Sequence, residues 1–210
     1  MLDRTREKVD PFLNIVAKRF SRINPETLSW FALIFAISSG IFFYFSKPDF
    51  ELQNYFLLFA ALFVFLNGLF DAIDGQVARL SNKTSARANF IDHTLDRYDD
   101  VFIVGGLALS AWCRPSIGLL AIIGVLLTSY MGTQAQAIGY KRDYSGLLGR
   151  ADRLAFLMIV PLVQHFTLYY TFQLPGNTTV LEWVLIYFAI AGNITAIQRF
   201  YNTLKWFKKK

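Results

Sequence analysis

The 210-residue sequence has little cysteine, histidine or charge: one Cys, Cys113, two His, and only 17% charged residues. One cysteine excludes a disulfide scaffold, and one Cys with two distant His excludes a structural zinc site. Scarce charge combined with 54% hydrophobic and 17% aromatic residues argues against intrinsic disorder and against an ordinary soluble enzyme. Lys and Arg (21) outnumber Asp and Glu (15). These bases stand between apolar runs rather than on one soluble face, so membrane topology explains them better than a nucleic-acid partner does.

What the sequence does have is long apolar runs. About 20 apolar residues are needed to cross roughly 30 Å of hydrocarbon. Residues 28–46, 115–140 and 154–181 meet that length, the last with a turn-forming exit at Leu174-Pro175-Gly176-Asn177, and a further run starts near Val180. Residues 54–70 and 101–113 are too short unless they take in neighbouring charges, since 101–113 as a helix covers only about 20 Å. The second span then continues through Asp71, Asp74 and Arg79. The third starts near Ala88 and carries Asp92, Asp96 and Arg97. Ionisable residues at membrane depth are costly and mark functional cavities; the alternative is that both helices end early and the acids are solvated loop residues.

The expected fold is therefore an all-α integral membrane protein of six transmembrane helices. An N-terminal interfacial amphipathic helix precedes them, drawn from Val9, Phe12, Leu13, Val16, Ala17 and Phe20 at helical spacing. A solvated cytosolic helix would show the same pattern. The N-terminal stretch lacks the features of a cleavable signal peptide. With no internal repeat, 1–210 reads as one domain, 1–27 being its cytoplasmic or interfacial segment. Of the 21 Lys and Arg, only Lys47 and Arg114 fall on one side, and Arg97 lies within the third span. All others fall on the opposite side, which places both termini and the acidic cluster at the cytoplasmic face.

Asp71, Asp74 and Ala78 share one helical face, and Asp92 and Asp96 share another. Four carboxylates brought together repel unless a cation sits among them, and a hard oxygen donor set without Cys or His selects magnesium, manganese or calcium. Such an ion suits a pyrophosphate. Gly75 and Ala78 leave room for a nucleotide or phosphate, and Arg79 offers a planar donor. Arg97 compensates the acids, Asp99 and Asp100 extend their face, His93 reads as a packing neighbour and His165 as an interior residue. Asn24-Pro25 reads as a helix start, with Asn24 as cap.

The pattern Asp71-x-x-Asp74-Gly75-x-x-Ala78-Arg79, eight residues, then Ala88-x-x-x-Asp92-x-x-x-Asp96 resembles the signature of the CDP-alcohol phosphotransferase family. Ala88 stands where that signature has glycine. The resemblance implies that Asp71, Asp74 and Asp92 hold Mg2+ or Mn2+, with Asp96 sharing in that role and acting as general base. It implies that Asp71, Asp74, Gly75, Ala78 and Arg79 bind the CDP-linked lipid donor, whose lipid-phosphate unit passes to an alcohol as CMP leaves. It also implies a homodimer, for which Gly105, Gly106 and Ala108 offer small surfaces that could equally pack within one subunit.

Gly149-Arg150-Ala151-Asp152-Arg153 resembles a stretch of the phosphatidylinositol-phosphate and archaetidylinositol-phosphate synthases. The resemblance implies that Arg150 and Arg153, with Lys141 and Arg142, hold the phosphate of inositol 1-phosphate. Glycerol 3-phosphate is the second acceptor and an uncharged alcohol such as serine the third. Topology-setting bases attracted to anionic lipid, and for the whole chain a cation transporter, are the competing readings.

Overall fold

The computed structural model describes residues 6–48, 55–81, 85–140, 143, 145–169 and 178–208. Lys141, Arg142 and the turn at 174–177 lie outside them, as do the side chains of Val9 and Phe12. Seven helices follow in order: α1 (Arg6–Phe20), α2 (Pro25–Phe45), α3 (Phe56–Leu80), α4 (Ala86–Ala108), α5 (Pro115–Ala137), α6 (Arg150–Tyr169) and α7 (Val180–Phe207). Their starts follow local chemistry. Asn24 accepts from the Glu26 N–H at 3.3 Å with Pro25 at the first helical position, as its sequence context suggests. Ser85 caps α4 through the Ala88 N–H (3.0 Å), and Thr179 caps α7 through the Glu182 N–H (2.9 Å).

Helices α2, α3, α5, α6 and α7 are long and apolar enough to cross a membrane. Helix α4 has the length but not the composition, because Asp92, Asp96, Arg97, Asp99 and Asp100 interrupt it. Neither α3 nor α4 ends early: α3 runs unbroken past Asp71 and Asp74 to Leu80, and α4 begins before Asp92. The acids are therefore helical, not loop residues. Around the bundle, Phe59, Leu62, Phe65, Leu120, Ile159 and Ile190 point outward, the pattern of helices solvated by lipid.

Inside, α2 packs on α3 and α4, α5 on α7, and α6 bridges α3 and α7. Phe43, Leu107, Trp112, Leu157 and Phe188 fill the core. The α2–α4 crossing is a backbone contact: a Cβ on Gly106 would collide with Gly40, and one on Gly40 with the Phe102 carbonyl. Ala108 likewise lies against Gly118 of α5. Gly106 and Ala108 are thus used within the chain. Helix α1 buries Leu13 and Ala17, the latter in a small cluster with Leu28 of α2 and Ile73 and Val77 of α3.

Candidate active site

Helices α3 and α4 bring acids of both together. Oxygens of Asp71, Asp74 and Asp92 lie within 4.8 Å of one another. Asp74, only 5% exposed, accepts a 2.6 Å hydrogen bond from Ser29 of α2. His93 stands beside Asp92 and Asp96, its Nδ1 3.4 and 3.9 Å from their oxygens. A cavity of about 470 Å³ opens between the first turns of α2 and α4 and the end of α3. Its lining includes Glu26, Asp74, Gly75, Ala78, Arg79, Ala88 and Asp92, and of its three acids Asp74 and Asp92 also belong to the carboxylate group. Arg79 is exposed at its margin, its Nε donating to Gln76 at 2.9 Å. Ala88 sits in the capped first turn of α4 and leaves the helix regular.

Arg150 enters from α6. Its Nη1 meets Asp71 at 2.9 Å and also Asp96, and its Nη2 meets Asp99 at 3.3 Å. The turn before α6 fixes that reach. Gly146 has φ +124°, a conformation side chains disfavour, and a Cβ there would collide with Thr195. Thr195 Oγ1 accepts from the Leu147 and Leu148 N–H groups (3.0 and 3.2 Å), while Asp152 accepts from the Gly149 N–H (3.0 Å). Arg199 of α7 anchors the same connection, donating to the carbonyls of Ser145 (3.0 Å) and Thr128 (2.7 Å). Burial pushes the Asp143 carboxyl up, but hydrogen bonds from Ser145 and Asn202, with Arg199 nearby, outweigh it and hold the group below the usual carboxylate range.

Arg153 departs from expectation. It is 1% exposed, and its guanidinium donates to Asp100 at 2.7 Å and faces Ser129 at 3.4 Å. Helical spacing put it one turn from Arg150, but it pairs with Asp100, a different acid of α4 from those Arg150 meets. Arg97 lies against Asp96 (3.3 Å) and Asp100 (3.9 Å). The arginines thus gather on Asp71, Asp96, Asp99 and Asp100, whereas Asp74 is met by a neutral hydroxyl. Asp71, Asp74 and Asp92 converge beside the cavity, a hard oxygen donor set that fits a divalent cation.

Three members of the site escaped the sequence reading. Asn67 is fully buried and donates to Asp99 (2.7 Å) and to the Ala32 carbonyl (3.0 Å); its signal was a lone amide one turn before Asp71 within an apolar run. Ser29 carried only the signal of a hydroxyl in the first turn of α2. Arg199, read as a topology base, lies on α7 one turn after Thr195.

The model of the CDP-alcohol phosphatidyltransferase family matches residues 22–195. The chain belongs to that family. It is accordingly a transferase, which sets the transporter alternative aside. Among relatives of this phosphatidyltransferase, an archaetidylinositol phosphate synthase of Pyrococcus horikoshii is 28% identical over 98% of this chain and 97% of its own length. A phosphatidylinositol phosphate synthase of Streptomyces avermitilis is 30% identical over 90% of this chain and 75% of its own. The fold is shared with the phosphatidylinositol phosphate synthase of Mycobacterium tuberculosis with CDP-DAG bound (TM-score 0.69, 23% identity, 91% of this chain and 92% of that one). The same enzyme in complex with manganese and citrate gives a TM-score of 0.70 at 22% identity, covering 91% and 88%.

Proposed function

We propose that this phosphatidyltransferase moves the lipid-phosphate unit of a CDP-linked lipid onto inositol 1-phosphate and releases CMP. The observation that carries this is the convergence of Asp71, Asp74 and Asp92 within 4.8 Å beside a cavity lined by Gly75, Ala78 and Arg79. The names of the relatives support the acceptor. Asp71, Asp74 and Asp92, with Asp96 adjoining, would hold Mg2+ or Mn2+, which when bound would supply positive charge to neutralise the donor pyrophosphate and the departing phosphate. Gly75 and Ala78 admit the cytidine diphosphate, and Arg79 donates to its phosphates. Asp96 takes the proton from the acceptor hydroxyl. The hydroxyl oxygen then bonds to the lipid-bearing phosphorus as the bond from that phosphorus to the CMP oxygen breaks. Arg150 holds the acceptor phosphate, with Lys141 and Arg142 as further bases from the same connection.

Six membrane crossings, with α4 as the third, fit this chemistry. Asp96, Asp99 and Asp100 of α4 are buried while Tyr98, Val101 and Phe102 point out, as an intramembrane helix requires. The distribution of Lys and Arg supports cytoplasmic termini and a cytoplasmic site, with α1 lying along that membrane surface. The homodimer remains part of this reading. Purified protein with Mn2+ and CDP-lipid, given inositol 1-phosphate, glycerol 3-phosphate or serine in parallel, should release CMP with the first. Release confined to glycerol 3-phosphate would reject the acceptor and leave the family untouched.

A further inference from the structure

Arg150 bridges Asp71, Asp96 and Asp99 at the edge of the carboxylate group, and two buried atoms beside this bridge are left without hydrogen-bond partners among the described residues. One is its own Nε; the other is Oδ1 of Asp99. Buried polar atoms are rarely left unmatched without a reason. Nε and Nη2 lie on the same edge of a guanidinium, and Nη2 already meets Asp99 Oδ2 at 3.3 Å. A rotation of Arg150 that set Nε against Oδ1 would replace one long contact by a two-bond fork and satisfy both atoms. That rotation withdraws Nη1 from Asp71 and Asp96. Asp99 is built to receive it: the side chain is buried, and Asn67 fixes its Oδ2 from the other side at 2.7 Å while itself being tied to the Ala32 carbonyl.

We propose that Asp99 is a positioning residue that gives Arg150 two stations: across Asp71 and Asp96 when no divalent cation is present, and forked on Asp99 when one is bound. In the first station Arg150 is the counter-cation of the cluster. In the second Asp71 is released to the ion, Asp96 is released to take the acceptor's proton, and Nη1 is left to face the acceptor phosphate. The inference rests on the ion-holding role of Asp71, Asp74 and Asp92 proposed above, and extends it to how the site is kept intact before the ion arrives.

The test is Mn2+ binding to the full chain without substrates, read from the electron paramagnetic resonance of free Mn2+, in a double-mutant cycle of Asp99→Asn and Arg150→Ala. Arg150→Ala removes the competitor, and Mn2+ should bind about tenfold more tightly, the worth of one hydrogen bond between charged groups. Asp99→Asn removes the second station, and Mn2+ should bind more weakly by a similar factor. Adding Asp99→Asn to Arg150→Ala should change nothing, because Asp99 acts only through the arginine. Additive effects would mean simple charge attraction and would overturn the two-station proposal. Wild-type protein that binds no Mn2+ would overturn the ion-holding reading beneath it. A structure of the wild-type chain with Mg2+ gives a check independent of how the variants fold: Arg150 Nε should lie within hydrogen-bonding distance of Asp99 Oδ1, and an arginine still resting on Asp71 and Asp96 beside a bound ion would contradict the proposal.

Discussion

The two ends of the bundle spend polar groups differently. At the end carrying Arg114, Trp112 donates its indole N–H to Ser46 (2.7 Å), Thr179 donates to the Trp112 carbonyl (2.8 Å), and Glu182 accepts from both the backbone N–H and the Nε of Arg114 (3.0 and 2.7 Å). Gln164 accepts from the Val180 N–H at 2.7 Å. At the acidic end, by contrast, Asn67 Oδ1, Asp99 Oδ1 and the Nε atoms of Arg97, Arg150 and Arg153 are buried and unmatched. Among the described residues, one end is closed by matched hydrogen bonds, while the other leaves buried polar atoms unmatched around the carboxylate cluster.

Substitutions at the two ends should therefore separate activity from stability. The largest effect is expected for Asp96→Asn, which should lower CMP release by about 10²- to 10⁴-fold, the usual contribution of a general base, while CDP-lipid binding persists. Turnover equal to wild type would remove Asp96 from that role. Asp71→Asn should weaken Mn2+ and donor binding by about tenfold or more through loss of a charged ligand, read by titration.

Stability effects follow. Gly106→Leu forces α2 and α4 apart at their backbone contact and should cost about 3 kcal/mol, the upper range for overpacking, seen as a lowered unfolding midpoint in detergent. Trp112→Phe breaks the bond to buried Ser46 and should cost about 1–2 kcal/mol with turnover unchanged; a loss of turnover would mean the two ends are coupled. The smallest effect is on pH dependence. Because Asp143 is held below the usual carboxylate range, its contribution is present above about pH 4 and fades as pH falls through its folded value. Asp143→Asn should flatten the acid side of the stability curve, which thermal unfolding between neutral and acid pH measures.

Much of the acidic end was legible because its information is local. Asp71 and Asp74 sit three apart and Asp92 and Asp96 four apart, so a helical period alone aligns them, and two apolar runs too short to span a membrane favoured helices that continue through the acids over helices that end early, as the structure shows. The partners of the arginines were not legible. Arg150 and Arg153 look equivalent in sequence, one helical turn apart; what separates them is that Asp99 and Asp100 point to different sides of α4, a contact across about fifty residues that no local spacing encodes. The anchoring of the α5–α6 connection by Thr195 and Arg199 is equally non-local. Gly40 meeting Gly106 has the same character: each glycine is unremarkable in its own helix, and only the crossing explains both.

The most direct test is the fate of the acceptor oxygen. Inositol 1-phosphate carrying heavy oxygen in its free hydroxyls would be incubated with CDP-lipid, Mn2+ and the purified protein, and the lipid product and CMP weighed by mass spectrometry. The expected product is a lipid heavier by the labelled inositol phosphate, with unlabelled CMP formed only in the presence of the ion. Label in CMP, or lipid product formed equally well after chelation, would contradict transfer at the carboxylate cluster.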